Sequence, residues 1–156
     1  RDVGCAVITV SDTRTLENDT GGQAVVDRLQ QAGNRVIHRD IIPDDPERLG
    51  LLVESLSSRD EVDAILITGG TGMTGRDQTF ETVTRLLTKS LPGYGELFRM
   101  LSYQEIGSAA MLSRATGGLV DRTVLLTMPG SPAAVHLAME KIIVPELRHL
   151  VNEALR

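Results

Sequence analysis

Residues 65–79 read Ile-Leu-Ile-Thr-Gly-Gly-Thr-Gly-Met-Thr-Gly-Arg-Asp-Gln-Thr. Three apolar residues run into four glycines (Gly69, Gly70, Gly72, Gly75), then into Arg76 and Asp77. A loop that is nearly all backbone lets a ligand approach main-chain N–H groups closely, and several such groups turned inward make an anion-binding concavity. Arg76 and Asp77 put one cation and one carboxylate at its mouth, so the chemistry indicated is phosphate binding beside a metal ion. The plainer reading, a tight turn between a strand and a helix, accounts for the glycines but not for the Arg-Asp pair at the exit.

The chain must carry this loop on a strand and bring partners to it. Residues 3–10 are a near-continuous apolar run of strand length, which suits a strand buried on both faces. Ser11 and Asp12 follow at its carboxyl end, then a long polar stretch to Gly22. Val25, Val26, Leu29 and Ala32 recur at helical spacing, with Gly33 as the terminal cap. Arg35 to Ile42 reads as a weaker strand nearer an edge, ending in Pro43-Asp44-Asp45-Pro46. Asp45 has a structural duty as helix N-cap ahead of Pro46; Asp44 has none. Leu49, Leu52, Val53 and Leu56 form the next helical stripe, Val62 to Thr68 the third strand, and Phe80, Val83, Leu86 and Leu87 the next helix.

Residues 91–118 fit the alternation less well. A turn is expected over 91–95, then helices over 96–107 and 109–115 with a glycine break. Arg122 to Met128 is a fourth strand, ending in Pro129-Gly130-Ser131-Pro132. A last helix from Ala133 should kink or restart at Pro145. This βα alternation predicts a single-domain three-layer α/β/α fold over residues 1–156 with a mainly parallel sheet and right-handed crossovers. All four strand-end loops then open on one carboxyl edge, so Asp12, Asp44 and Asp77 converge from distant points in the sequence.

Several alternatives fall away. Gly70-x-Gly72-x-x-Gly75 matches a dinucleotide fingerprint in spelling, but it follows the third strand and leads into Arg-Asp-Gln, and no acid ends a strand about 20 residues on. No Lys-Ser or Lys-Thr follows the glycines, which removes a Walker A loop. His38, His136 and His149 fall in strand or helix segments, and Ser11, Ser113 and Ser131 have no evident base, so a histidine-based triad is not expected. Cys5 lies alone in an apolar run and reads as a small buried hydrophobe. The chain has 156 residues, a formal charge of −5 and 3% aromatics, which argues against a basic, base-stacking nucleic-acid surface. No apolar stretch reaches membrane-span length and no charged-then-apolar leader opens the sequence given, so a cytoplasmic protein without membrane contact is expected. Asn18-Asp19-Thr20 matches a glycosylation pattern without that context. Carboxylates, glycine backbone, hydroxyls and one Arg suit phosphoryl or nucleotidyl transfer, where positioning and charge neutralisation replace covalent chemistry.

Thr68 to Gly72 with Arg76-Asp77-x-Thr79, Pro43-Asp44, Pro92-Gly93-Tyr94-Gly95-Glu96, Leu112-Ser113-Arg114 and Met128 to Pro132 together resemble the MogA/MoaB family of molybdopterin-binding proteins over essentially the whole chain. The stretch 102–107, Ser-Tyr-Gln-Glu-Ile-Gly, resembles the MoaB branch. The resemblance implies a molybdopterin-binding (MogA-like) fold and a molybdopterin adenylyltransferase, in which the terminal phosphate of molybdopterin attacks the α-phosphate of Mg-ATP. By motif, Asp44 and Asp77 match the catalytic carboxylates and would bind or position Mg²⁺. Gly69, Gly70, Thr71 and Gly72 would hold phosphate. Ser11, Asp12, Arg76, Ser113, Pro129, Gly130 and Ser131 would belong to the nucleotide and pterin site; Glu96 receives no role. Some MoaB-type members have lost the active carboxylates and do not catalyse the reaction. A non-catalytic molybdopterin carrier is therefore the alternative, and retention of Asp12, Asp44, Arg76 and Asp77 favours the enzyme. The family also implies a homotrimer or homohexamer and hand-over to a molybdate-inserting enzyme.

Overall fold

The computed structural model describes residues 2–156. Five elements alternate at the start: β1 (Gly4–Val10), α1 (Thr20–Gln31), β2 (Arg35–Ile42), α2 (Pro46–Ser57) and β3 (Ala64–Thr68). Then follow α3 (Thr79–Leu86), a two-residue β4 (Lys89–Ser90), α4 (Pro92–Ile106) and a 3₁₀ segment (Gly107–Leu112). The chain closes with β5 (Gly117–Val120), β6 (Thr123–Met128), α5 (Pro132–Ala138), a π turn (Met139–Ile143) and α6 (Val144–Ala154). Among the described residues no helix is long and apolar enough to cross a membrane.

The sheet order is β2-β1-β3-β6-β5-β4, with β2, β1, β3 and β6 mutually parallel and β5 reversed between β6 and β4. β1 explains why a strand can be apolar at successive positions. Cys5 and Val7 face the core under α1, α4, α5 and α6, whereas Ala6, Ile8 and Val10 face the core under α2 and α3. Both sides of a parallel strand are covered, so apolar residues fill it, and its one polar side chain, Thr9, is buried and donates to Asp19 at 2.6 Å. β2, more polar and only half-buried, lies at the sheet edge as its composition predicts. Cys5 is fully buried, and that burial pushes its thiol up to about 12, which keeps it protonated and inert.

Four local expectations change. Thr20 to Gly22 belong to the first turn of α1, not to the preceding loop, because buried Asp19 caps the helix by accepting from Gly22 N at 3.0 Å. Residues 92–95 are the first turn of α4, with Pro92 supplying the preset φ that helix starts favour. The helix expected over 109–115 is a 3₁₀ segment ending at Leu112, after which the chain extends along the site. The strand β5 went unread because Gly117 and Gly118 carry no strand signal. They are glycines because the Leu126 side chain and the Lys89 carbonyl leave no space for a Cβ. Pro145 restarts the helix as expected: it cannot donate a backbone hydrogen bond, and the π turn just before it absorbs the mismatch.

The chain goes from β1 outward to β2 and then returns to β3 on the other side of β1, so the strand order reverses between β1 and β3. Ligand crevices of open α/β sheets form at such a reversal. Gly69 sits there with φ +99°, and a Cβ on it would overlap the Val10 carbonyl. Gly75, at the exposed tip of the same loop, has nothing within 4 Å of a Cβ position and no left-handed φ. Gly69→Ala should therefore cost more than about 2 kcal/mol in urea unfolding, while Gly75→Ala stays within about 0.5 kcal/mol. Equal effects would contradict this account of the strand end.

Candidate functional site

The loop after β3 is shaped through its carbonyl groups. The Gly69 carbonyl accepts from Thr79 Oγ1 at 2.9 Å and the Gly70 carbonyl from Thr79 N at 3.1 Å. The Thr71 carbonyl accepts from Arg114 N and the Gly72 carbonyl from Arg114 Nε, both at 2.8 Å. Arg114 also donates to the Asp77 carbonyl at 2.8 Å, pairs with Glu81 and lies over the Phe80 ring at 5.5 Å. Four consecutive carbonyls are thus satisfied by the protein. The N–H groups of Gly70, Thr71 and Gly72 donate to no protein group among the described residues. An arc with its acceptors turned away and its donors unused is an anion nest. Gly70 has φ +72°, and a Cβ there would collide with Thr79 Oγ1.

Two carboxylates flank the nest, as the sequence predicts. Asp44, only 9% exposed, accepts from Gln78 N at 3.4 Å, and its Oδ2 lies 3.0 Å from the place a Gly70 Cβ would occupy. Asp77 accepts from Thr74 N at 2.9 Å and Thr74 Oγ1 at 2.8 Å, and its Oδ2 lies 2.7 Å from the corresponding point at Gly72. Asp12 joins them from the end of β1: it accepts from Asp44 N at 3.1 Å and takes a two-pronged ion pair from Arg76 at 2.8 and 3.0 Å. Burial raises the Asp44 carboxyl above the ordinary range, and the Asp77 and Asp12 charges add to this against the Gln78 N–H and Arg76. The Arg76 hydrogen bonds hold Asp12 below its ordinary value. Asp45 caps α2 through Glu47 N and Arg48 N, which leaves Asp44 with no capping duty there and only the long Gln78 N contact.

A cleft of about 330 Å³ lies over the nest. Gly70, Thr71, Gly72 and Asp77 line one side; Ser113, Pro129, Gly130 and Ser131 line another. Phe98, Ile106 and Ala110 from α4 and the 3₁₀ segment supply an apolar wall suited to a flat ring. Ser11 and Gly69 stand outside this cleft, in an adjoining hollow of about 370 Å³ that shares Gly130 and Ser131 with it. Glu96 is exposed on α4 and lines neither. The sequence names Thr79 and Arg114 within motifs without showing that they lock the loop, and it does not reveal the Asp19 cap or the apolar wall. Their roles depend on contacts to backbone atoms and on a segment read as a turn and a broken helix. The Thr spaced two residues after Asp77 was the one local signal.

Among the described residues no three His, Cys, Asp or Glu side chains gather into a metal ligand set. The fit to Mg²⁺ rests on Asp44 and Asp77. A mostly buried carboxylate beside a second one is destabilised while both are charged, and a cation between them relieves that. Mg²⁺ in nucleotide sites uses one or two carboxylates and takes its remaining ligands from phosphate and water.

The family model described as a probable molybdopterin binding domain matches residues 6–149. A Bacillus cereus protein named molybdenum cofactor biosynthesis protein B is 49% identical over 154 residues, covering 98% of this chain and 91% of its own length. A crystal structure of a molybdenum cofactor biosynthesis protein B has a TM-score of 0.97 at 49% identity, covering 100% of this chain and 98% of the other. The Pyrococcus furiosus structure described as tungsten cofactor synthesizing protein MoaB has a TM-score of 0.89 at 35% identity, with 100% and 99% covered. Together with the nest and its carboxylates, these matches show that the chain belongs to the molybdopterin-binding MogA/MoaB family of molybdenum cofactor biosynthesis proteins, in its MoaB branch.

Proposed function

We propose that this protein adenylylates molybdopterin with Mg-ATP, releasing pyrophosphate. The observation that carries the reading is the nest itself: three unused N–H groups, four satisfied carbonyls and a carboxylate on each side. Phosphates bind where backbone donors are already fixed, because the charge that shifts during transfer is then stabilised without rearrangement. The N–H groups of Gly70, Thr71 and Gly72 hold the phosphates in line, and the Phe98–Ile106 wall receives a flat ring system and excludes water. Asp44 and Asp77 would hold the nucleotide's Mg²⁺, which supplies neutralisation of the charge building on the leaving phosphates. An ionised phosphate oxygen attacks the α-phosphorus and carries no proton to be removed, so the absence of histidine from the site is no obstacle. The product would pass to a molybdate-inserting step in the cytoplasm. Exposed apolar side chains along α4 (Leu97, Met100, Tyr103 and Ile106) support homo-oligomeric assembly of the trimer or hexamer kind.

Purified protein supplied with molybdopterin, ATP and Mg²⁺ should release pyrophosphate. Tight pterin binding with no pyrophosphate would establish a carrier instead. Asp77→Asn should lower turnover about 100-fold or more while pterin affinity stays within a few-fold, because the nest is held by Arg114 and Thr79 and not by this carboxylate. Wild-type turnover in that variant would remove its catalytic role.

Asp44 separates function from stability. Its folded-state pKa is raised, so the native state holds the proton more tightly than the unfolded chain, and stability falls as pH rises from the unfolded value through the folded one. Asp44→Asn should leave the melting temperature at pH 7 unchanged or higher. Any advantage should shrink as the pH falls below the folded pKa, where the wild-type carboxyl is itself neutral. A large drop in melting temperature at pH 7 would mean that Asp44 is a structural residue.

A further inference from the structure

The cleft over the nest contains Asp77 and no Arg, Lys or His. Three backbone N–H groups can hold one phosphate, but a triphosphate and the pyrophosphate it releases carry more charge than that. The chain as a whole is negative, so the global field opposes their entry. Cations are found at the far end of the same carboxyl edge. Past the shared Gly130 and Ser131, the adjoining hollow runs over Thr68, whose buried Oγ1 has no hydrogen-bond partner, to Ser11 and Arg14. Ser11 and Arg14 in turn line a third pocket of about 380 Å³, which also receives Asp12, Arg39, Pro43 and Arg48.

The arginines of this pocket are not equivalent. Arg39 is tied to Asp19 at 3.4 Å and to Gln23 at 2.6 Å. The Arg14 guanidinium gives one bond, to the Asn18 carbonyl, and has no carboxylate partner; the Arg48 guanidinium has no partner among the described residues. The acidic side chains facing them are Asp12, already neutralised by Arg76, and Asp40, which lies 3.7 Å from His38. The pocket therefore offers two uncommitted guanidinium groups. It borders Asp12 and Pro43, so it meets the catalytic carboxylates through the Asp12–Asp44 hydrogen bond, and it shares no lining residue with the apolar cleft.

We infer that the Arg14–Arg48 pocket is the subsite for the β- and γ-phosphates of the nucleoside triphosphate and for the pyrophosphate they become. This rests on the adenylyltransferase reading of the nest. A terminal phosphate oxygen of the pterin substrate forms a bond to the α-phosphorus, the bond from that phosphorus to the α,β-bridging oxygen breaks, and its electron pair departs with pyrophosphate. Guanidinium groups on the Asp12 side of the carboxylates stabilise the charge that accumulates on that leaving group. Arg14 comes from the loop after β1 and Arg48 from α2, so no sequence motif announces the pair.

The test is calorimetric binding of ATP, AMP and inorganic pyrophosphate, each with Mg²⁺, to the wild type and to the Arg14→Ala/Arg48→Ala double variant. Arg39 is left in place because it braces Asp19, and retention of the wild-type melting temperature controls for folding. The expected result is a loss of 10-fold or more in affinity for ATP and pyrophosphate, with AMP affinity within 2-fold of wild type. ATP and AMP weakening together, or ATP unaffected, would overturn the subsite while leaving the adenylyltransferase reading intact. A wild-type protein that binds none of the three would overturn both.

Discussion

A loop made largely of glycine cannot pack itself into shape, so the conformation after β3 has to be imposed by its neighbours. Arg114 and Thr79 do this from outside, by occupying four consecutive carbonyls and pinning the Asp77 carbonyl. Both supports are themselves fixed: Thr79 is fully buried at the start of α3, and Arg114 is held between Glu81 and the Phe80 ring. With the acceptors taken, the N–H groups of Gly70, Thr71 and Gly72, which line the cleft, are left without a partner among the described residues. The position of Asp77, the approach of Asp44 and the direction of the apolar wall all follow from that one arrangement. A hydrogen bond to a charged guanidinium contributes about 1.5–3 kcal/mol, so the two that Arg114 gives to the Gly72 and Asp77 carbonyls do much to order a loop with little side-chain packing of its own.

The site is also where the fold tolerates electrostatic cost. Asp12, Asp44 and Asp77 converge from the ends of three strands, and only Asp12 has its own cation, Arg76. Asp44 is left mostly buried near two other carboxylates. Charges placed against their own stability are what sites that bind cations and phosphates require. The glycines follow the same logic at the backbone level: φ values of +99° and +72° at Gly69 and Gly70 are accepted because main chain must pass close to Val10 and Thr79.

Much of this was legible in the sequence, and the rest was hidden for identifiable reasons. The buried strands announced themselves because both faces of β1 and β3 are covered, so apolar residues run continuously. The convergence of Asp12, Asp44 and Asp77 followed from parallel topology alone. β5 was invisible because crowding at Gly117 and Gly118, not strand propensity, chose those residues. Arg114 stood inside a recognised motif, yet its role could not be read because its partners are carbonyl groups some 40 residues earlier in the chain. Arg14, Arg39 and Arg48 look like ordinary surface charges until the fold places them around one pocket.

The central claim is that the Gly70–Gly72 backbone, flanked by Asp44 and Asp77, is a phosphate cradle. A crystal structure with a non-hydrolysable ATP analogue and Mg²⁺ tests it most directly. The account predicts α-phosphate oxygens within hydrogen-bond distance of those N–H groups and the metal between the two carboxylates. Nucleotide bound elsewhere on the surface, with the Gly70–Gly72 N–H groups contacting only water, would contradict it.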